Sequence, residues 1–248
     1  MVSRTGQLPG GGLPVGKDAG EQLVRFDRTE RVAHWLTALC VVALIVTGAA
    51  LYVPALVGLI GRRALVVRIH VDVGLAMVLP VLVSLAGSWG KGLRADIRRL
   101  NRWSSADRQW LHLALSREPT GWVRVGKFNA GQKLSAAFFA GAMVVMLMTG
   151  SIMHWPYYWP LAWRTGATFV HDLVAYCLVA VVVGHVAMAL GHPRSLRSML
   201  TGRVGRAWAE RHSPLWLEEL DAATGSQAAR AARAGASSGR SSRADHPG

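Results

Sequence analysis

Four histidines account for the chemistry this sequence is equipped to do. The chain has 248 residues and nine histidines, and His34, His70, His171 and His185 stand within or at the start of long apolar runs. An ionisable side chain in such a run is costly to bury and marks function by default, and a neutral imidazole nitrogen is a good metal ligand. On a helix, the interval from His171 to His185 is about 21 Å of rise and close to four turns, so both project from nearly one face. If the chain passes back and forth between two surfaces, His185 comes level with His34, and His171 with His70. Each level pair can grip one iron from opposite sides, which would stack two b-type haems within one helical bundle. The same interval separates His34 from Gly48 and His70 from Ser84. Each small residue thus falls on its own histidine's face at the depth of the other pair, where a bulky side chain would obstruct a porphyrin. The competing reading is packing, with the histidines bonded to nearby carbonyls. Metal binding without haem fits less well, because no carboxylate or thiolate cluster stands at ligand spacing to complete such a site.

The remaining histidines are ordinary. His112, His212 and His246 fall in loops or tails, and His192 lies just past the last apolar run. His154 joins Trp155, Pro156, Tyr157 and Tyr158 in an interfacial aromatic belt.

The elements that must carry the four histidines are apolar runs of membrane-crossing length. Half of the chain is hydrophobic (51%) while the net charge is +14. A soluble domain rarely combines the two, but segregation explains them, with apolar runs in spans and Lys and Arg between. Nucleic-acid binding would account for the charge but not for the runs. Four runs reach the roughly 20 residues a bilayer demands: His34 to about Leu56, Ile69 to Trp89, Gln132 to His154, and Gly166 to Leu190. Pro80 in the second predicts a kink. The fold expected is all-α, an integral membrane four-helix bundle in a bacterial inner membrane. Of the 28 basic residues, 24 fall on one side of the spans and four on the other. The positive-inside bias therefore places both termini and the loop 90–131 in the cytoplasm. Residues 1–23 are Gly-rich and polar, lack the pattern of a cleavable signal, and read as a disordered arm. Residues 221–248 read as a disordered tail, which leaves 24–220 as the membrane domain. No internal repeat is apparent. Cys40 and Cys177 lie inside spans and cannot form a Cys-x-x-Cys-His attachment site, so any haem is held without a covalent link.

Several motifs give the sequence a family resemblance. Arg25-Phe-Asp-Arg-Thr-Glu-Arg-Val-Ala-His34-Trp35 enters the first span, and Arg68-Ile-His70 with Gly74 enters the second. Gly126-Lys-Phe-Asn129-Ala-Gly131-Gln132-Lys133 enters the third, and Val170-His171 and Gly184-His185 mark the fourth. Gly202-Arg-Val-Gly-Arg-Ala-Trp208 and Arg211-His212-Ser-Pro214-Leu-Trp216 follow. Over roughly Arg25 to Leu220 the chain resembles the gamma subunit of membrane-bound formate dehydrogenase. That subunit is a dihaem cytochrome b within a wider group that includes hydrogenase cytochromes b. The resemblance implies that His70 and His171 hold an outer haem, and His34 and His185 an inner one. It also implies a quinone site, for menaquinone or ubiquinone, at Asn129, Gly131 and His185. From the residues alone, Asn129 to Gln132 has the spacing of a helix capping box, and the two roles can coexist. Asp72 and Asp172, beside the implied outer ligands, are not required by the family pattern and read as solvated interfacial acids. Arg25, Arg28, Arg31, Arg62, Arg63 and Arg68 are candidates for haem propionates or lipid headgroups.

The function expected is electron transfer. An iron-sulfur subunit, fed by a molybdenum or tungsten catalytic subunit, delivers electrons that pass through two haems to a quinone on the cytoplasmic side. The primary oxidation belongs to those partners. The rivals are a cytochrome b serving a hydrogenase or a thiosulfate- or polysulfide-type reductase, and a haem-free membrane anchor.

Overall fold

A computed structural model describes residues 20–116 and 123–244. Residues 1–19 of the expected arm, 117–122 of the expected loop and 245–248 of the tail lie outside it. Among the described residues the chain is almost entirely helical. Strand β1 (Gln22–Val24) leads into α1 (Arg28–Tyr52), the first span. Asp27 starts α1 with a reciprocal cap. Its carboxylate accepts from the Glu30 amide at 2.8 Å, and the Glu30 carboxylate accepts from the Asp27 amide at 2.6 Å. A short α2 (Pro54–Ile60) crosses the far end of the bundle. The second span then returns as α3 (Arg63–Ala76) and α4 (Leu79–Leu85). The break falls at Met77 and Val78, immediately before the turn that holds Pro80. A proline without an N–H belongs in the first turn of a new helix, so the expected kink is a change of helix.

Two helices, α5 (Lys91–Asn101) and α6 (Ser105–Leu115), occupy the long loop before the third span, α7 (Ala130–His154). A single 3-10 turn at Pro156–Tyr158 reverses the chain at the far end into α8 (Leu161–Gly191), the fourth span. Then come α9 (Pro193–Thr201), β2 (Arg203–Gly205), α10 (Arg206–His212) and α11 (Pro214–Ala244). The four long helices are apolar enough to cross a membrane. Their outward faces carry exposed Leu39, Val46, Leu82, Val144 and Val183. Such a surface would aggregate in water, whereas lipid accepts it and α-helices leave no backbone group unpaired there.

One end of this bundle is bare, with only α2 and the 3-10 turn. The other, loop-rich end is a folded cap. β1 pairs antiparallel with β2, Leu23 opposite Val204, and Val204, Ala209 and Trp216 form a small core with Leu23, Trp208 and Leu220 packed on it. Gln22 and Leu23, expected within the arm, thus belong to a strand. So short a strand was hidden because its partner, Arg203–Gly205, lies beyond all four spans. The segment from Asp221 also differs from the disordered tail expected, continuing α11 as helix to Ala244. Alanine has the strongest helix propensity, and the Ala-rich stretch follows a helix already nucleated at Pro214.

Buried ion pairs fasten the cap to the spans. Lys127, just before α7, lies 2.5 Å from Asp96 of α5 and 3.6 Å from Glu30 of α1. Lys133 of α7 lies 2.8 Å from Asp107 of α6 and donates at 2.8 Å to the Arg102 carbonyl. Arg25 donates to the Lys127 carbonyl at 3.1 Å and lies over the Trp208 ring at 4.6 Å. Burial pulls the Arg25 guanidinium down to about 10, against the opposing pull of Asp96. For Asp107, burial works to raise the carboxyl. Hydrogen bonds from Lys133 and Ser104 outweigh it and hold the group below the usual carboxylate range.

Candidate functional site

The back-and-forth path of the spans brings the four histidines together as two pairs. His34 (α1) and His185 (α8) face each other near the loop-rich end, with ring centres 6.3 Å apart and planes at 48°. His70 (α3) and His171 (α8) do so near the far end, with ring centres 6.4 Å apart and planes at 65°. These separations can be compared with what ligation of one iron requires. A metal to imidazole nitrogen bond is about 2 Å and the nitrogen sits about 1 Å from its own ring centre, so two imidazoles on one iron have centres roughly 6 Å apart. Both pairs are compatible with that spacing, so the residues present would fit haem iron, although edge-on packing reaches the same distance.

The surroundings of the two pairs differ. At the far end each imidazole has a hydroxyl partner: His70 Nδ1 lies 2.8 Å from Thr47 Oγ1, and His171 Nδ1 lies 2.9 Å from Thr149 Oγ1. A glycine follows each threonine. A Cβ on Gly48 would lie 3.4 Å from His70 Cε1, and one on Gly150 would lie 3.4 Å from His171 Cε1. Gly48 is thus at the depth of the His70 pair, as its offset of about four turns from His34 requires. At the loop-rich end the neighbours are aromatic. Phe139 of α7 stands edge-on to His185 at 6.2 Å, and Trp35 stands edge-on to His34 at 5.3 Å. Neither threonine was singled out by the sequence reading. The signal was a repeated dipeptide, Thr47-Gly48 and Thr149-Gly150, preceding the far-end histidines by 23 and 22 residues from threonine to histidine.

Asn129 caps α7. Its Oδ1 accepts from the Gln132 amide at 2.9 Å, while Gln132 Oε1 accepts from the Asn129 amide at 3.0 Å. The cap engages the side-chain oxygen and leaves the amide N–H groups as donors. Gly131 has a packing reason to be glycine, since a Cβ there would come within 2.9 Å of the Trp110 indole. Asn129 precedes Phe139 by about 15 Å of helix rise, so it lies well toward the cap from the level of His185. Of the candidate arginines, Arg25 is built into the cap, and Arg31 donates to the Thr201 carbonyl at 3.2 Å. Asp72 is exposed and Asp172 half-buried near the far end.

Membrane-crossing helices that present histidine pairs at haem-ligand spacing define an integral membrane cytochrome. Comparison by sequence makes that specific: the chain belongs to the prokaryotic cytochrome b561 family, whose profile matches residues 25–202. Membership brings haem b with it. Similar proteins include the cytochrome b556(fdo) subunit of formate dehydrogenase from Escherichia coli K12, 29% identical over 210 residues, covering 81% of this chain and 94% of that one. The nitrate-inducible cytochrome b556(Fdn) subunit of the same organism is 26% identical over 82% of this chain and 94% of its own length. A formate dehydrogenase cytochrome b556 subunit from Haemophilus influenzae is 26% identical over 80% and 83%. The resemblance read from the sequence motifs and these similarities agree.

Proposed function

We propose that this chain is the membrane electron-transfer subunit of a formate dehydrogenase-type complex, binding two b haems and reducing a quinone. The observation that carries the reading is the meeting of the four histidines as two pairs, each across two spans and at a separation, 6.3 and 6.4 Å, that one iron could bridge. His34 and His185 hold one haem, and His70 and His171 the other. Bound there, haem b would supply one-electron redox chemistry. Held by two histidines each, such haems would be suited to carrying electrons.

The segregation of basic residues sets the direction. With 24 of 28 on the loop-rich side, that side is cytoplasmic and the bare end faces outward. The bare end is where an iron-sulfur subunit, linked to a molybdenum or tungsten catalytic subunit, would dock. The quinone, menaquinone or ubiquinone, is met at the cytoplasmic side, where Asn129 offers its free amide donors to a quinone oxygen. The resemblance also implies Gly131, beside Asn129, and His185, which lies about 15 Å deeper in the bundle. Purification of the native complex tests the whole reading. It should yield about two non-covalent haems per chain, an iron-sulfur partner, and haem reduction by formate. Reduction by hydrogen with a hydrogenase partner, or a haem-free chain, would replace it. Reporter fusions at Arg63 and Ser226 test the orientation, and Arg63 facing the cytoplasm would reverse it.

A further inference from the structure

The two threonines at the far end each bond their own helix and also meet an imidazole. A hydroxyl has one hydrogen. Thr47 Oγ1 gives its hydrogen to the Ala43 carbonyl at 2.7 Å, and Thr149 Oγ1 gives its hydrogen to the Val145 carbonyl at 2.7 Å. When each hydroxyl keeps that bond its oxygen accepts from the imidazole, which puts the proton on Nδ1 of His70 and of His171. The lone pair is left on Nε2. Threonines in apolar helices commonly bond back to their own i−4 carbonyl, and Thr165 and Thr168 do so without an imidazole partner. What sets Thr47 and Thr149 apart is the second contact, made twice, from two helices to two others, each beside a glycine that lets the ring lie close. His34 and His185 have no side-chain hydrogen-bond partner among the described residues.

We propose that Thr47 and Thr149 are positioning residues that lock the tautomer, rotation and donor strength of His70 and His171, making the far-end iron site the more reducing of the two. An N–H donated to an acceptor strengthens the ring as a ligand, and a stronger ligand favours oxidised iron. This rests on the two-haem reading above.

The test uses the purified complex with Thr47→Val and Thr149→Val, singly and together, since valine keeps the volume and removes the acceptor. Potentiometric titration followed by absorbance, with electron paramagnetic resonance of the oxidised protein, reads each haem separately. The potential of one haem should move positive, further in the double variant, while the other stays put. A tenfold loss of preference for oxidised iron reads as about 59 mV for one electron. Affinity for the shifted haem should fall by about 10–100-fold, and Thr47→Ser with Thr149→Ser should restore both values. His70→Ala identifies the haem concerned, because the shifted potential must belong to the one that variant lacks. Wild-type potentials in the valine variants, or an equal shift of both haems, would overturn the proposal. If the double variant does not assemble, the single variants carry the same readings. Loss of the same haem from His70→Ala and His34→Ala would instead break the pairing, and the proposal with it.

Discussion

The two ends of the bundle present nearly the same pair of imidazoles but support them by different means. At the far end, 6.4 Å separates His70 and His171, and each is held by a threonine within its own two-helix hairpin. At the loop-rich end, 6.3 Å separates His34 and His185, flanked by Trp35 and Phe139. There Glu30, one turn before His34 on α1, joins a buried ion cluster with Lys127 and Asp96. The far site is thus built by local hydrogen bonds inside apolar helices, and the near site by tertiary assembly of the cap. The interval from His171 to His185 equals that from His70 to Ser84. The hairpins are therefore alike at the far end and diverge at the near end, where a histidine in one corresponds to a serine in the other. A local repeat absent from the overall sequence pattern is present in these few positions.

The sharpest way to break the comparison is to remove ligands. His70→Ala and His171→Ala should each abolish the same haem, and His34→Ala and His185→Ala the other, read as haem per chain and as the loss of one titrating component. A variant from each pair sharing one phenotype would mean the ends are not independent sites. Next in size is Lys127→Met. It removes the cation between Asp96 and Glu30 in a buried position, and breaking one partner of a buried pair costs about 3–5 kcal/mol. The thermal midpoint in detergent should fall, with the near haem released before the far one. Equal release of both would show that the cap supports the bundle as a whole.

Asn129 separates two roles that coincide in one residue. Replacing it with Ala removes the cap, at a cost of about 1 kcal/mol, and also removes the amide donor. Asn129→Asp keeps a good capping oxygen and exchanges the donor for a charged acceptor. If the donor serves the quinone, Asp should restore stability but not quinol formation, with both haems still reducible by the partner. Normal quinol formation in Asn129→Asp would leave capping as the residue's whole function.

Much of this was legible in the sequence because its signals are periodic. The four spans follow from apolar runs, and the level pairing of histidines follows from the interval between His171 and His185 on one helix. Helix edges were less legible: α1 begins at Arg28, ahead of the apolar run from His34, because the Asp27 cap rather than hydropathy sets the helix start. The cap itself was hidden. Glu30, Asp96 and Lys127 are far apart in the chain and individually resemble surface charges. Only the fold shows that Lys127 is 7% exposed. Thr47 and Thr149 escaped notice for the opposite reason, since a threonine that bonds its own helix is unremarkable until the facing imidazole is in place.

The smallest expected effect concerns Asp107 and Lys133, which tie α6 to α7 just inside the cap. Burial raises the Asp107 carboxyl, but bonds from Lys133 and Ser104 bring its folded value below the unfolded one. A carboxyl depressed on folding binds fewer protons in the folded state. Its contribution is fully present above the ordinary carboxylate value of about 3.9 and is lost as pH falls through the lowered value. Unfolding of the detergent-solubilised chain should therefore become easier below about pH 4, by a margin that Asp107→Asn removes. The same variant should be less stable than wild type at neutral pH, where wild type has the ion pair and the variant does not. Because α6 carries Trp110 against Gly131, the loss should also loosen the start of α7. It should therefore slow quinol formation more than it shifts either haem potential. If Asp107→Asn keeps the wild-type acid slope, the dependence arises elsewhere in the cap, and the Glu30, Asp96 and Lys127 cluster is the next place to look.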